Sequence, residues 1–163
     1  MKQHSLQKNE SILKACVVLP TYNEAETIES IIKAIFAMQS NVATHQLYVI
    51  VVDDNSPDGT QEIVKKQMQK HPYLRLVTGN KVGLGDAYKR GISFAISTIN
   101  PDLLLQMDAD GQHDPTLIPK FINLANDGFS LVIGSRYVHG GSVPDFSYWR
   151  KFLSIVGNFL IRH

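Results

Sequence analysis

The sequence predicts an α/β domain with a mostly parallel central sheet flanked by helices. Three observations carry that prediction. Short apolar runs at residues 15–19, 47–52, 73–77, 103–105 and 130–133 alternate with stretches of helical periodicity, the strand–helix alternation of βαβ units. The run at 47–52, Leu-Tyr-Val-Ile-Val-Val, is nearly continuous and rich in β-branched residues, as strands buried on both faces of a parallel sheet are. Most of these runs end directly in polar clusters, which a parallel sheet projects from a single edge.

Residues 1–14 have no hydrophobic period and read as a loose lead-in. The first strand, 15–19, holds Cys16, the single cysteine of the chain; it has no partner for an internal disulfide and reads as a small core residue. Pro20 is expected to end that strand. Asn23 is placed to cap the next helix, with Glu26 at capping-box spacing. Ile28, Ile31, Ile32, Ile35 and Phe36 then share one helical face, which is a core face. The second strand closes in Asp53, Asp54 and Asn55, and Ser-Pro-Asp-Gly at 56–59 opens a second helix. After the third strand, a connection containing Gly79, Gly83 and Gly85 leads into a helix over 86–97.

The fourth strand, 103–105, runs into Asp108-Ala109-Asp110. Asp114 as N-cap and Pro115 at the first helical position then open a helix to 126, with Gly128 as its stop. A fifth strand at 130–133 ends in Gly134, Ser135, Arg136 and Tyr137. No repeat, low-complexity run or linker interrupts 15–137, so this span reads as one domain. Residues 138–163 differ: Phe146, Trp149, Phe152, Leu153, Ile155, Val156, Phe159 and Leu160 are mixed with basic residues. From Arg136 onward Arg136, Arg150, Lys151 and Arg162 stand against Asp145 alone, so the segment is net basic. Two placements fit it: packing on the core, or lying against a membrane surface or lipid substrate. The pattern breaks off at His163 without a cap, as in a piece of a longer protein.

Composition narrows the function. The chain has 163 residues, 44 % of them hydrophobic and 19 % charged, which suits one globular domain. A net charge of +1 without a basic run argues against nucleic acid as a partner. No run of apolar residues reaches membrane-spanning length and the N-terminus lacks a signal-peptide core, so a cytoplasmic chain is expected. The first strand–helix turn is not glycine-rich and no Gly-x-x-x-x-Gly-Lys-Ser/Thr occurs, which excludes Rossmann dinucleotide and P-loop sites.

The carboxylates are more informative. Asp108 and Asp110 stand at the end of a core strand; two such groups fit either ordinary loop roles or a hard divalent cation shared with ligand phosphates. An Arg at the same sheet edge suits a phosphate. Together the clusters suit a diphosphate with its metal.

Five segments make a resemblance plain: Val-Val-Leu-Pro-Thr-Tyr-Asn-Glu (17–24), Val-Val-Asp-Asp-Asn-Ser-Pro-Asp-Gly-Thr (51–60), Gly-Leu-Gly-Asp-Ala-Tyr (83–88), Met-Asp-Ala-Asp-Gly-Gln-His-Asp-Pro (107–115) and Ile-Gly-Ser-Arg-Tyr (133–137). In order and spacing, from about residue 15 to 150, the chain resembles family-2 glycosyltransferases of the GT-A fold, and among them the polyprenol-phosphate (dolichol-phosphate) mannosyltransferases. The resemblance implies a single-domain GT-A fold and transfer of mannose from GDP-mannose to a polyprenyl phosphate, with inversion. It implies nucleoside contacts at Pro20, Tyr22, Glu24, Val51 and Asp53. Diphosphate and Mg²⁺ or Mn²⁺ binding fall to Asp108, Ala109, Asp110 and Gln112, and phosphate handling to Arg136 and Arg150, with Asp110 and these two arginines as the catalytic set. It further implies a peripheral place on the cytoplasmic face of a membrane, through 145–163 or sequence beyond it. A UDP-sugar donor, a saccharide acceptor, or an inactive nucleotide-sugar-binding fragment are the alternatives.

Overall fold

A computed structural model describes residues 12–135. Its sheet is built from β1 (Leu13–Thr21), β2 (His45–Asp53), β3 (Leu74–Thr78) and β4 (Leu103–Gln106), in the order β3-β2-β1-β4 with every neighbouring pair parallel. The helices are α1 (Ile28–Ala37), α2 (Thr60–Met68), α3 (Leu84–Phe94) and α4 (Ile118–Asn126).

Alternation along the two central strands decides the layers. Ala15, Val17 and Leu19 of β1, with Leu47, Val49 and Val51 of β2, face one way and pack with Ile28, Ile32, Ile35, Val64 and Ile122 of α1, α2 and α4. Cys16, Val18, Ile50 and Val52 face the other way, against Ala87 and Ala95 on the α3 side. Each fully buried Val, Leu or Ile stabilises the fold by about 1.5–3 kcal/mol, and these strands are buried on both faces. Burial also pushes the Cys16 thiol up to about 12, consistent with an inert core residue.

The strand order places a reversal at β1. The chain moves outward from β1 through β2 to β3, then returns to the opposite side of β1 to lay down β4. The crevice beyond the C-terminal ends of β1 and β4 is therefore a topological switch point, where open α/β sheets bind ligands.

Several expected boundaries are corrected. β1 begins at Leu13, inside the expected lead-in, and continues through Pro20 to Thr21. Pro20 is tolerated because the donor it lacks would face the β4 side, where pairing stops at Val18 and Gln106; on the β2 side the ladder continues to Thr21 and Asp53. Asn23 does not cap α1: it adopts a left-handed φ of 61° and Thr27 occupies the N-cap position. The turn before α1 is held instead by cross-loop bonds, described below. By contrast Asp114 does cap, accepting from the Thr116 N–H at 2.9 Å, with Pro115 opening a 3-10 turn that leads into α4. Gly128, at φ 98°, closes α4 in a Schellman pattern: its N–H reaches the Ala125 carbonyl and that of Phe129 the Leu124 carbonyl.

The fifth strand is absent among the described residues. Residues 131–135 take no regular secondary structure, and Leu131 and Ile133 expose 77 % and 76 % of their surface. A short apolar run forms a strand only where a neighbouring backbone completes the ladder. The grouping of Arg136 and of 138–163 as a segment apart lies outside the described residues.

Gly91 marks the closest approach of α3 to the sheet. A Cβ there would stand 2.5 Å from a methyl of Val18 and 2.6 Å from one of Val52. These are stiff, β-branched core side chains, so Gly91→Val should lower stability by at least about 2 kcal/mol through overpacking, read from the urea midpoint at unchanged slope. A second prediction concerns pH. Burial holds the imidazole of His45 below its ordinary value, and burial with the nearby Lys70 and Lys33 does the same to His71. The unfolded chain then binds more protons below the ordinary imidazole value of about 6.5, so stability is full above it and declines as pH falls through it. The urea midpoint should drop between about pH 7.5 and pH 5.5, and His45→Gln should flatten that slope.

Candidate active site

Four loops meet at the switch-point edge, and side-chain hydrogen bonds tie them together. The loop after β1 is pinned to the loop after β2: the N–H groups of Asn23, Glu24 and Ala25 donate to Ser56 Oγ (3.0 Å), Thr60 Oγ1 (3.1 Å) and Asp58 Oδ2 (2.9 Å). These bonds order the residues that sequence spacing assigned to a capping box. The Thr60 hydroxyl and the Ala25 N–H hold the Asp58 carboxyl below the usual carboxylate range.

Asp53 is the hub of the second loop. It is fully buried, yet its carboxylate accepts from the Ser56 N–H (2.9 Å), Ser56 Oγ (2.6 Å), Gln61 Nε2 (2.7 Å) and Thr21 Oγ1 (3.0 Å). Four donors satisfy a buried carboxylate without a cation beside it. Its neighbour Asp54, also buried, pairs with Arg90 of α3, whose guanidinium also bonds Asp86. Arg90 packs so closely on Gly79 that a Cβ at that position would meet the guanidinium carbon at 2.6 Å.

Thr27 bridges the first loop to the loop after β4. Its hydroxyl lies 2.9 Å from both Glu24 Oε2 and the Ala109 carbonyl. The Ala109 side chain is buried in the larger core cluster, which leaves Asp108 and Asp110 on either side of an anchored residue. Asp110 is exposed and accepts from the Gln112 N–H at 2.9 Å. Asp108 is half-buried; its Oδ1 accepts from the Tyr88 hydroxyl at 2.8 Å and its N–H donates to His113 Nδ1 at 2.9 Å. Since Nδ1 accepts, the proton of a neutral His113 ring sits on Nε2, which faces Asp108 Oδ2 at 3.9 Å.

The sequence-derived residues thus divide into groups. Glu24, Ala109 and Asp108 are brought into one hydrogen-bonded edge, with Asp110 beside it. Tyr22 is exposed at 37 %, and the Lys81 ammonium sits 3.4 Å from its ring centroid, a cation–π contact. Pro20 and Val51 are buried strand residues, and the Val51 side chain packs in the core behind Asp53. Arg136 and Arg150 lie outside the described residues. Thr27, Tyr88, Arg90 and His113 were not singled out from sequence; the one sequence signal was that Tyr88 and His113 sit inside the motifs at 83–88 and 107–115.

No group of three or more His, Cys, Asp or Glu able to hold a metal occurs among the described residues. The pair Asp108 and Asp110 is nevertheless a hard, oxygen-only donor set. It fits Mg²⁺ or Mn²⁺, which take one or two carboxylates and complete their shell with water and ligand phosphates.

Comparison with known proteins decides the family. Residues 16–162 match glycosyl transferase family 2 over nearly the whole chain. The chain belongs to that family. This family-2 chain is 38 % identical over 143 residues to a dolichol-phosphate mannosyltransferase of Pyrococcus furiosus, covering 87 % of this chain and 38 % of that protein. It is 35 % identical over 147 residues to a polyprenol monophosphomannose synthase of Mycolicibacterium smegmatis, covering 89 % of this chain and 53 % of that one. The chain therefore spans about two fifths to one half of the length of these relatives. Among solved structures, a glucosyl-3-phosphoglycerate synthase from Mycobacterium tuberculosis, in complex with Mn²⁺, UDP and glucosyl-3-phosphoglycerate, superposes with a TM-score of 0.53 at 26 % identity, covering 69 % of this chain and 39 % of that one. Among the described residues no helix is long and apolar enough to cross a membrane.

The Asp53 hub yields a direct test. Asp53→Ala strands four donors, all on buried or half-buried residues, and should cost about 3 kcal/mol of stability. Chemical denaturation monitored by circular dichroism measures the loss.

Proposed function

We propose that this family-2 chain carries the donor site of a metal-dependent, inverting mannosyltransferase that moves mannose from GDP-mannose to a polyprenyl phosphate. The observation that carries the reading is the placement of Asp108 and Asp110 at the switch point, joined through Thr27 and Ala109 to the Glu24 loop. The named activities of the two curated relatives support the choice of mannose and of a polyprenyl phosphate.

In this reading Tyr22 and Glu24 line the nucleoside side, and Asp53 organises the turn that shapes it. Asp108 and Asp110, with Gln112, hold the diphosphate through Mg²⁺ or Mn²⁺. When bound, the ion supplies Lewis-acid stabilisation of negative charge on the departing diphosphate. The acceptor phosphate is already ionised, with a second pKa of about 6 for a phosphate monoester, so no strong general base is required. A phosphate oxygen attacks the anomeric carbon as its bond to the GDP oxygen breaks, a single displacement that inverts configuration. The protein's part is positioning and charge stabilisation, with Arg136 and Arg150 assigned on sequence alone to offset phosphate charge. Residues 145–163, apolar with basic flanks, are proposed to contact the cytoplasmic face of a membrane.

A second reading, a UDP-sugar donor, rests on the likeness to the UDP-bound synthase. Calorimetric titration of the chain with GDP-mannose and with UDP-glucose, each with Mn²⁺ and with EDTA, separates the two. Binding of GDP-mannose that is tighter with Mn²⁺ than in EDTA, and that in Mn²⁺ weakens at least about 10-fold in Asp110→Ala, is expected, since a lost first-sphere ligand costs no less than a lost outer-shell partner. Binding of UDP-glucose alone establishes the second reading, and no binding of either donor by the folded chain overturns both.

A further inference from the structure

We propose that Tyr88 is a positioning residue for the cation site: its hydroxyl locks the Asp108 carboxylate in the orientation that offers Oδ2 to a divalent ion. The assignment rests on the metal-dependent donor site proposed above and adds a residue and a role that the donor set alone does not contain.

Tyr88 reaches the site from the opposite side of the sheet edge from Glu24 and Thr27. It belongs to α3, and its ring packs against the apolar cluster of Cys16, Val18, Ile50 and Val52. The helix is itself fixed to the sheet by the close approach at Gly91 and by the Arg90–Asp54 pair. A phenol anchored in this way has little freedom, and its oxygen stands 2.8 Å from Asp108 Oδ1. The backbone of Asp108 is fixed separately by the bond from its N–H to His113 Nδ1 at 2.9 Å. With its N–H and Oδ1 both held, the carboxylate has little freedom to turn. Oδ2 has His113 Nε2 at 3.9 Å, beyond hydrogen-bond reach, so its acceptor capacity remains for a ligand.

The direction of the bond is also determined. The phenol hydroxyl carries a proton and a carboxylate oxygen accepts one, so Tyr88 donates to Asp108 Oδ1. Two effects of the bond oppose each other: withdrawing charge from Asp108 weakens a metal bond, whereas fixing its orientation strengthens it. Outer-shell partners of metal ligands typically contribute 10–100-fold in affinity, so orientation wins.

The test is Tyr88→Phe, which keeps the ring and its packing and removes only the oxygen. Asp108 is half-buried and can take a water in its place, so the variant should fold. Free Mn²⁺ is measured by electron paramagnetic resonance at saturating GDP for the full chain, and GDP affinity is measured separately in EDTA. We expect Mn²⁺ affinity to fall about 10-fold or more while GDP affinity in EDTA and the urea midpoint stay unchanged. A fall in Mn²⁺ affinity of less than about 10-fold overturns the assignment. So does an equal loss of GDP affinity in EDTA, because a merely structural role moves both. Absence of Mn²⁺ binding by the unsubstituted protein is a different result: it removes the metal-dependent donor site itself.

Discussion

The site depends first on β1. Like β2 it is buried on both faces and paired along both edges, to β2 over its whole length and to β4 over Ala15–Val18, and it is the strand that joins β4 to the rest of the sheet. That register sets the heights at which the polar loops emerge. Thr21 lies level with Asp53, and the Met107 N–H bonds the Val18 carbonyl, so the loops carrying Glu24, Asp53 and Asp108 leave the sheet within a turn of one another. A one-residue slip of β1 would turn Ala15, Val17 and Leu19 to the wrong face and move the whole edge with them. Core packing and site geometry are therefore the same constraint.

The edge is rich in carboxylates, and the protein treats them unequally. Asp53 is neutralised by four polar donors and Asp54 by Arg90, so both are committed to holding loops in place. Asp108 is half-buried and Asp110 exposed, and they are steadied by Tyr88, His113 and the Gln112 N–H. This division explains how one sheet edge carries so much negative charge and remains ordered: the buried acids are internally satisfied, and Asp108 and Asp110 are the more exposed of the four.

Much of the fold was legible in the sequence because it is local. The β-branched run of β2, the 3.6-residue spacing of the isoleucines in α1, and Asp114-Pro115 with Gly128 bracketing α4 each report short-range preferences that the tertiary structure leaves in force. The misreadings occur where a distant partner overrules a local signal. Asn23 and Glu26 have capping-box spacing, but the amides of that turn are taken by Ser56, Asp58 and Thr60 from across the crevice. Pro20 is a strand stop by itself and a strand residue here, because the adjacent ladder has already ended on the side where its missing donor would be needed. Residues 130–133 read as a short apolar strand and take no strand conformation among the described residues.

The sequence by itself determined the layer architecture, the membership of the Asp-Ala-Asp and Pro-Thr-Tyr-Asn-Glu segments in one strand-end edge, and the family. Period, capping and motif order are properties of neighbours along the chain, so they survive in one dimension. Only the tertiary structure decided which carboxylates are structural and which are the more exposed. Asp53 and Asp108 are similar strand-end aspartates in sequence; their difference lies in Thr21, Gln61, Tyr88 and His113, brought to them by register and helix packing. A hydrogen bond between residues twenty or thirty positions apart leaves no periodic trace, and at this edge those bonds set the chemistry.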